Sequence, residues 1–213
     1  IFWLYLARLV GTEQYGEISY FIALAGLSTI ISLLGGGNAL TVYTAKKIKI
    51  QPPIYLIVII SSLIAAGILF FVSSNVFTSI NVIGLCIFSL VGFELLGLKH
   101  YKKWATLQIS QKIMMVVLSI MLYHEFGTNG VILGIGLSYF PMTILHVLKI
   151  FKNNKIDFNL IKPRIGFFVN SYAMDLSRSI GSSVDKIIVV PLLGFAMLGN
   201  YQLSPAGLWL MGK

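Results

Sequence analysis

Long apolar runs alternate with short polar interruptions along the whole chain. Six runs stand out, at 18–43, 54–74, 82–98, 105–123, 130–150 and 167–190. About 20 helical residues cross the ~30 Å hydrocarbon core of a bilayer, so each run is long enough for one span. Half-length runs stand at both ends, residues 1–10 and 201–211. The pattern therefore predicts the end of one span, six complete spans numbered two to seven, and the beginning of an eighth. It reads as an internal window of a longer protein. The fold class expected is an all-α, polytopic transmembrane helix bundle.

Composition supports the same class and excludes others. Of the 213 residues, 57% are hydrophobic and 11% charged, with a mean hydropathy of +0.87. Soluble domains carry about 25% charged residues, so a soluble enzyme, a disordered tail and a disulfide-built scaffold are all ruled out. The formal net charge of +9 is unevenly placed: 11 of the 16 Lys and Arg residues fall in three connections. Lys46, Lys47 and Lys49 form the first group and Lys99, Lys102 and Lys103 the second. The third holds Lys149, Lys152, Lys155, Lys162 and Arg164. The alternate connections, 11–17, 74–81 and 124–129, have no Lys or Arg. That alternation follows the positive-inside rule and makes the basic connections cytoplasmic, so the charge orients helices and nucleic acid is not an expected partner. The basic stretch 152–166 is the longest connection and divides a first bundle, 1–151, from the start of a second, 167–213.

Catalytic chemistry is not encoded in any familiar arrangement. Cys86 is the only cysteine and His100, His124 and His146 stand at span ends, so neither a disulfide, a metal site, a cofactor site nor a nucleophilic triad is expected. Charge inside the membrane is more informative, because it is costly there and must face protein or water. On a helical projection of span seven, Ser171, Asp175, Arg178, Ser182, Asp185 and Lys186 fall within an arc of about 100°. Two readings stay open: satisfied ion pairs, with Asp175–Arg178 at i,i+3 the obvious one, or the wall of a hydrated cavity. Span five carries a weaker polar face of Gln108, Gln111, Lys112 and Ser119. Glu94 is expected to pair with nearby lysines, and Arg8 either reaches the interface or faces the same cavity as span seven. Gly35-Gly36-Gly37 and Pro141 mark points where spans two and six can break.

Two outward connections resemble each other. Leu9-Val10-Gly11-Thr12-Glu13-Gln14-Tyr15-Gly16 aligns with Leu192-Leu193-Gly194-Phe195-Ala196-Met197-Leu198-Gly199 at an offset of 183. Each copy joins an outward-running span to a returning one, which implies a parallel repeat about an axis along the membrane normal.

The segment Leu6-Ala7-Arg8-Leu9-Val10-Gly11, with Tyr15-Gly16 after it, resembles the entry of bacterial polysaccharide flippases. These are the Wzx-like O-antigen and capsule exporters of the MVF/MOP superfamily. Ser182-Ser183-Val184-Asp185-Lys186, with Gly194 and Gly199-Asn200-Tyr201 following, is similar to that family's seventh span and next turn. The resemblance implies a two-lobe transporter in the bacterial inner membrane, its first lobe nearly complete here. It would move an undecaprenyl-diphosphate-linked oligosaccharide from the inner to the outer leaflet without covalent chemistry, beside other glycan-assembly membrane proteins. Carried over by position, Arg8, Arg178 and Lys186 become diphosphate contacts; Asp175, Asp185 and Ser182 become cavity or ion-coupling residues. The family often has an acidic residue before the first glycine ending span two, whereas Leu33-Leu34 precede Gly35 here. A multidrug exporter of the same fold, or an enzyme or subunit of the same glycan pathway, are the alternatives.

Overall fold

The computed structural model describes residues 2–203, apart from the side chains of Asn153 and of residues 180–185. Within them every secondary-structure element is helical, as a backbone that must satisfy its own hydrogen bonds in lipid requires. In chain order the helices are α1 (Phe2–Val10), α2 (Thr12–Leu33), α3 (Gly36–Ala45), α4 (Gln51–Ser73), α5 (Val76–Gly97), α6 (Tyr101–Leu137), α7 (Phe140–Asn153) and α8 (Ile165–Leu203). Two 3₁₀ turns, Phe158–Leu160 and Lys162–Arg164, lie between α7 and α8. By length and composition five stretches are apolar enough to cross a membrane: Thr12–Leu33, Gln51–Ser73, Val76–Gly97, the 52-residue Tyr101–Lys152 and Lys186–Leu203, the last interrupted at Gly194. This is a membrane protein of several spans.

The connections without Lys or Arg are far shorter than the polar runs at 11–17, 74–81 and 124–129 suggest. Gly11 alone separates α1 from α2, and Ser74-Asn75 alone separate α4 from α5. Asn75 caps α5 by accepting from the backbone N–H groups of Phe77 and Thr78. Within α6 the chain turns at Gly127, where φ is 58° and ψ −137°. The two limbs of α6 then lie antiparallel: a Cβ at Gly130 would strike the Leu122 carbonyl, and one at Gly134 would stand 2.6 Å from the Ser119 Cα. The 52-residue stretch is thus two passes. Asn75 Nδ2 donates to Asn129 Oδ1 at 2.8 Å, tying this turn to the α4–α5 turn.

Spans two and six are broken where the sequence allows it. Leu34 and Gly35 both adopt left-handed backbone (φ 49° and 72°) and end α2 before α3 begins. Ser138-Tyr139 separate α6 from α7, with Pro141 at the start of the latter.

Packing gathers two apolar clusters. The larger unites Leu40, Ile54, Tyr55, Val58, Val82 and Leu90 from α3, α4 and α5. The smaller unites Leu6, Tyr15, Ile18, Met115, Val131 and Ile135 from α1, α2 and α6. One face of α4 stays uncovered, with Ile64 60% and Phe71 85% exposed. Lipid tails solvate such a face as well as protein does. Tyr43 of α3 packs its ring on Phe167 and lies under Lys46 and Arg164, joining two basic connections.

Candidate functional site

α8 packs chiefly on α2, and the contact is made by glycines. A Cβ on Gly16 would strike the Phe195 carbonyl, and a Cβ on Gly199 would strike the Thr12 carbonyl. Gly16 and Gly199 are equivalent in the repeat, as are Thr12 and Phe195, 183 residues apart. The contact is therefore reciprocal, as across a twofold axis. The two turns also share one backbone conformation: φ 82° and ψ 167° at Gly11, φ 80° and ψ 172° at Gly194. Nothing lies within 4 Å of a Cβ built at either residue, so conformation and not space demands glycine there.

A cavity of about 250 Å³ opens beside this contact. Trp3, Tyr15, Ser19, Ile22, Ala23, Gly26, Lys186 and Gln202 line it. Trp3 and Lys186 are themselves equivalent at the 183 offset, and so are Ser19 and Gln202. Two pairs of matching positions, Trp3 with Lys186 and Ser19 with Gln202, thus contribute half of the cavity's lining. Its walls combine an ammonium group, a hydroxyl, an amide and two aromatic rings. A second cleft, about 700 Å³, is lined by Leu4, Tyr5, Ala7, Arg8, Thr12 and Leu203. Arg8 is exposed there. Arg8 and Lys186 consequently serve adjacent openings of one α1–α2–α8 interface and not a single wall.

The polar stripe of α8 is divided between different surroundings. Ser171 and Ser179 are buried, Asp175 is half-buried and Arg178 is exposed. Asp175 and Arg178 form no ion pair. The amide of Asn38 on α3 donates to both carboxylate oxygens of Asp175, at 3.2 Å each. Asp175 and Lys186 stand eleven residues apart, ~16 Å along a helix, so Asp175 belongs to the α3 contact and Lys186 to the cavity. Gly35 makes that contact possible: a Cβ on it would meet the Phe168 carbonyl and, at 2.8 Å, the Tyr172 nitrogen. The side chains of Ser182 and Asp185 fall outside the described residues.

Glu94 is engaged differently from the expected pairing with lysines. It is 5% exposed on α5. Its Oε2 accepts from the Tyr55 hydroxyl at 2.8 Å and lies 3.0 Å from His146 Nε2. Three helices meet at this one carboxylate. The physical reason is depth: Glu94 points into the bundle, where a tyrosine and a histidine are within reach and mobile lysine heads are not. The polar face of span five is also a packing face. Gln111 donates to Ser138 and Ser119 to the Val131 carbonyl, while Lys112 is exposed.

Sequence reasoning missed Asn38, Gln202 and His146 as polar partners. Asn38 was legible as the polar residue closing Gly35-Gly36-Gly37, and Gln202 as the equivalent of Ser19 in the repeat. No local signal announces the His146–Glu94 pair, whose members are 52 residues apart. No family model matches the chain, and no curated protein or solved structure matches it significantly.

Proposed function

We propose that the protein exports a lipid-linked oligosaccharide, of the undecaprenyl-diphosphate class, from the inner to the outer leaflet of the bacterial inner membrane by alternating access. The observation that carries this reading is the cavity at the α1–α2–α8 contact, lined in part by positions that match across the repeat. A cavity at the interface of two repeats can open to either side as the halves rock. Lys186 inside it and Arg8 in the adjoining cleft suit the charge of a diphosphate, which charge-assisted hydrogen bonds hold well in a shielded site. Trp3 and Tyr15 offer apolar faces with polar edges, matching the mixed surface of a sugar. A cationic substrate, as a multidrug exporter would carry, calls instead for a carboxylate; the charged side chain among the described lining residues is that of Lys186.

The test is charge neutralisation in the full-length protein, in cells whose surface glycan depends on it. Lys186→Gln and Arg8→Gln, singly and together, are expected to lower glycan export, the double variant by about tenfold or more, as loss of charged hydrogen bonds predicts. Protein level in the membrane is measured alongside. Undiminished export by the double variant at normal protein level overturns the assignment.

A further inference from the structure

The α5–α6 turn carries cations beyond those the proposed transport path uses. Two depressions adjoin there and share Lys102 and Lys103. One, about 320 Å³, sets these lysines and His146 against apolar walls that include Leu95 and Met142. The other, about 400 Å³, sets the same lysines beside Lys99, His100 and Tyr101. The turn is held compactly: Lys99 takes left-handed backbone at φ 57°, and the backbone N–H of His100 donates to the Leu95 carbonyl at 2.9 Å. Its cations are thereby gathered at one point. Glu94, the carboxylate bonded to His146, is buried with its Oε2 engaged by Tyr55 as well, and it does not line the depression.

Beneath the lysines the surface turns apolar. On α6, Lys102, Lys103, Ile109, Ile113 and Val117 project within about 60° of Thr106 at 3.6 residues per turn. Ile109 and Ile113 are each 60% exposed and Val117 49%. A cationic pocket thus stands at the head of an uncovered apolar helix row, one end suited to an anion and the other to a hydrocarbon chain.

We propose that this site binds an anionic phospholipid, its phosphate held by Lys102 and Lys103 with His146 beside them, and an acyl chain lying along Ile109, Ile113 and Val117. Basic pockets between helices at the cytoplasmic side of a membrane recognise anionic headgroups in this way, at a lipid-facing surface where such lipids are always present. The apolar row argues for a lipid and against a free phosphate, which has no use for it. The site lies apart from the α1–α2–α8 cavity, so the proposal does not rest on the transport reading.

The experiment uses the full-length protein in nanodiscs of phosphatidylcholine with and without phosphatidylglycerol, with lipid retention read by native mass spectrometry. Phosphatidylglycerol is expected to stay bound to the native protein in preference to phosphatidylcholine, and millimolar inorganic phosphate is expected not to displace it. Lys102→Gln with Lys103→Gln should weaken its retention roughly thirtyfold, the effect of two lysines at a lipid headgroup. Lys46→Gln with Lys47→Gln removes the same charge at another connection and should leave retention unchanged. Met142→Trp fills the depression with both lysines intact and should also lower retention. Equal losses in the two double-lysine variants, displacement by phosphate, or retention unaffected by Lys102, Lys103 and Met142 substitutions would each overturn the proposal.

Discussion

Glu94 is a carboxylate carried into an apolar bundle, and what keeps it there is the number of groups that reach it. Tyr55 and His146 both lie within hydrogen-bond distance of Oε2. Breaking a buried polar network by removing one member leaves the others unpaired, which costs more than the network gains when whole. Glu94→Leu is therefore expected to destabilise the full-length protein by about 3 kcal/mol. Glu94→Gln, which keeps a carbonyl oxygen for the tyrosine, should cost well under half of that, and denaturant unfolding in detergent separates the two. Equal costs would mean that the shape of the side chain matters and its oxygen does not. The sequence made Glu94 conspicuous as an acid near a span end, yet its partners come from helices distant in the chain. Asp175 repeats the lesson. Its i,i+3 neighbour Arg178 is the local choice, but Asn38 approaches from α3 and takes both oxygens.

Among the elements, the turns depart most from expectation. Polar runs of six to eight residues read as loops, whereas single glycines reverse the chain at Gly11 and Gly127, and another interrupts α8 at Gly194. The polar residues that follow Gly11 belong to the first turn of α2. Composition does not distinguish these cases, because a polar residue meets the membrane surface equally well in a loop or at a helix end. Backbone conformation does distinguish them. With φ near 80° and ψ near 170°, Gly11 and Gly194 occupy a region essentially closed to other residues. Gly11→Ala and Gly194→Ala should each cost about 1–3 kcal/mol of stability in the same unfolding assay. Gly26 has no neighbour within 4 Å of a built Cβ and no positive φ, so Gly26→Ala should be neutral or gain up to ~1 kcal/mol from helix propensity. A similar cost at all three positions would remove the argument that conformation selects the turn glycines.

At the scale of the molecule, the central relation is the reciprocal packing of α2 and α8 through Gly16 and Gly199. Each glycine admits the backbone carbonyl of the other copy's turn, at Phe195 and Thr12. Because the contact is reciprocal, Gly16→Ala and Gly199→Ala should weaken it by similar amounts, about 1–3 kcal/mol each, as forced overpacking does. Together they should cost less than the sum, since parting the helices for one methyl makes room for the other. A large loss at one glycine with none at the other would deny the symmetry. Read alone, the chain already establishes a helical membrane protein, the helix ends that carry its positive charge, and one turn that occurs twice. Those features follow from local hydropathy, charge bias and short-range pattern, all written along the chain. It took the folded molecule to bring the two turns face to face, to set Lys186 in the wall of a cavity beside their contact, and to give Asp175 and Glu94 partners on other helices. Helix packing brings together residues far apart in sequence, and a helical projection shows which face is polar without showing what stands opposite it.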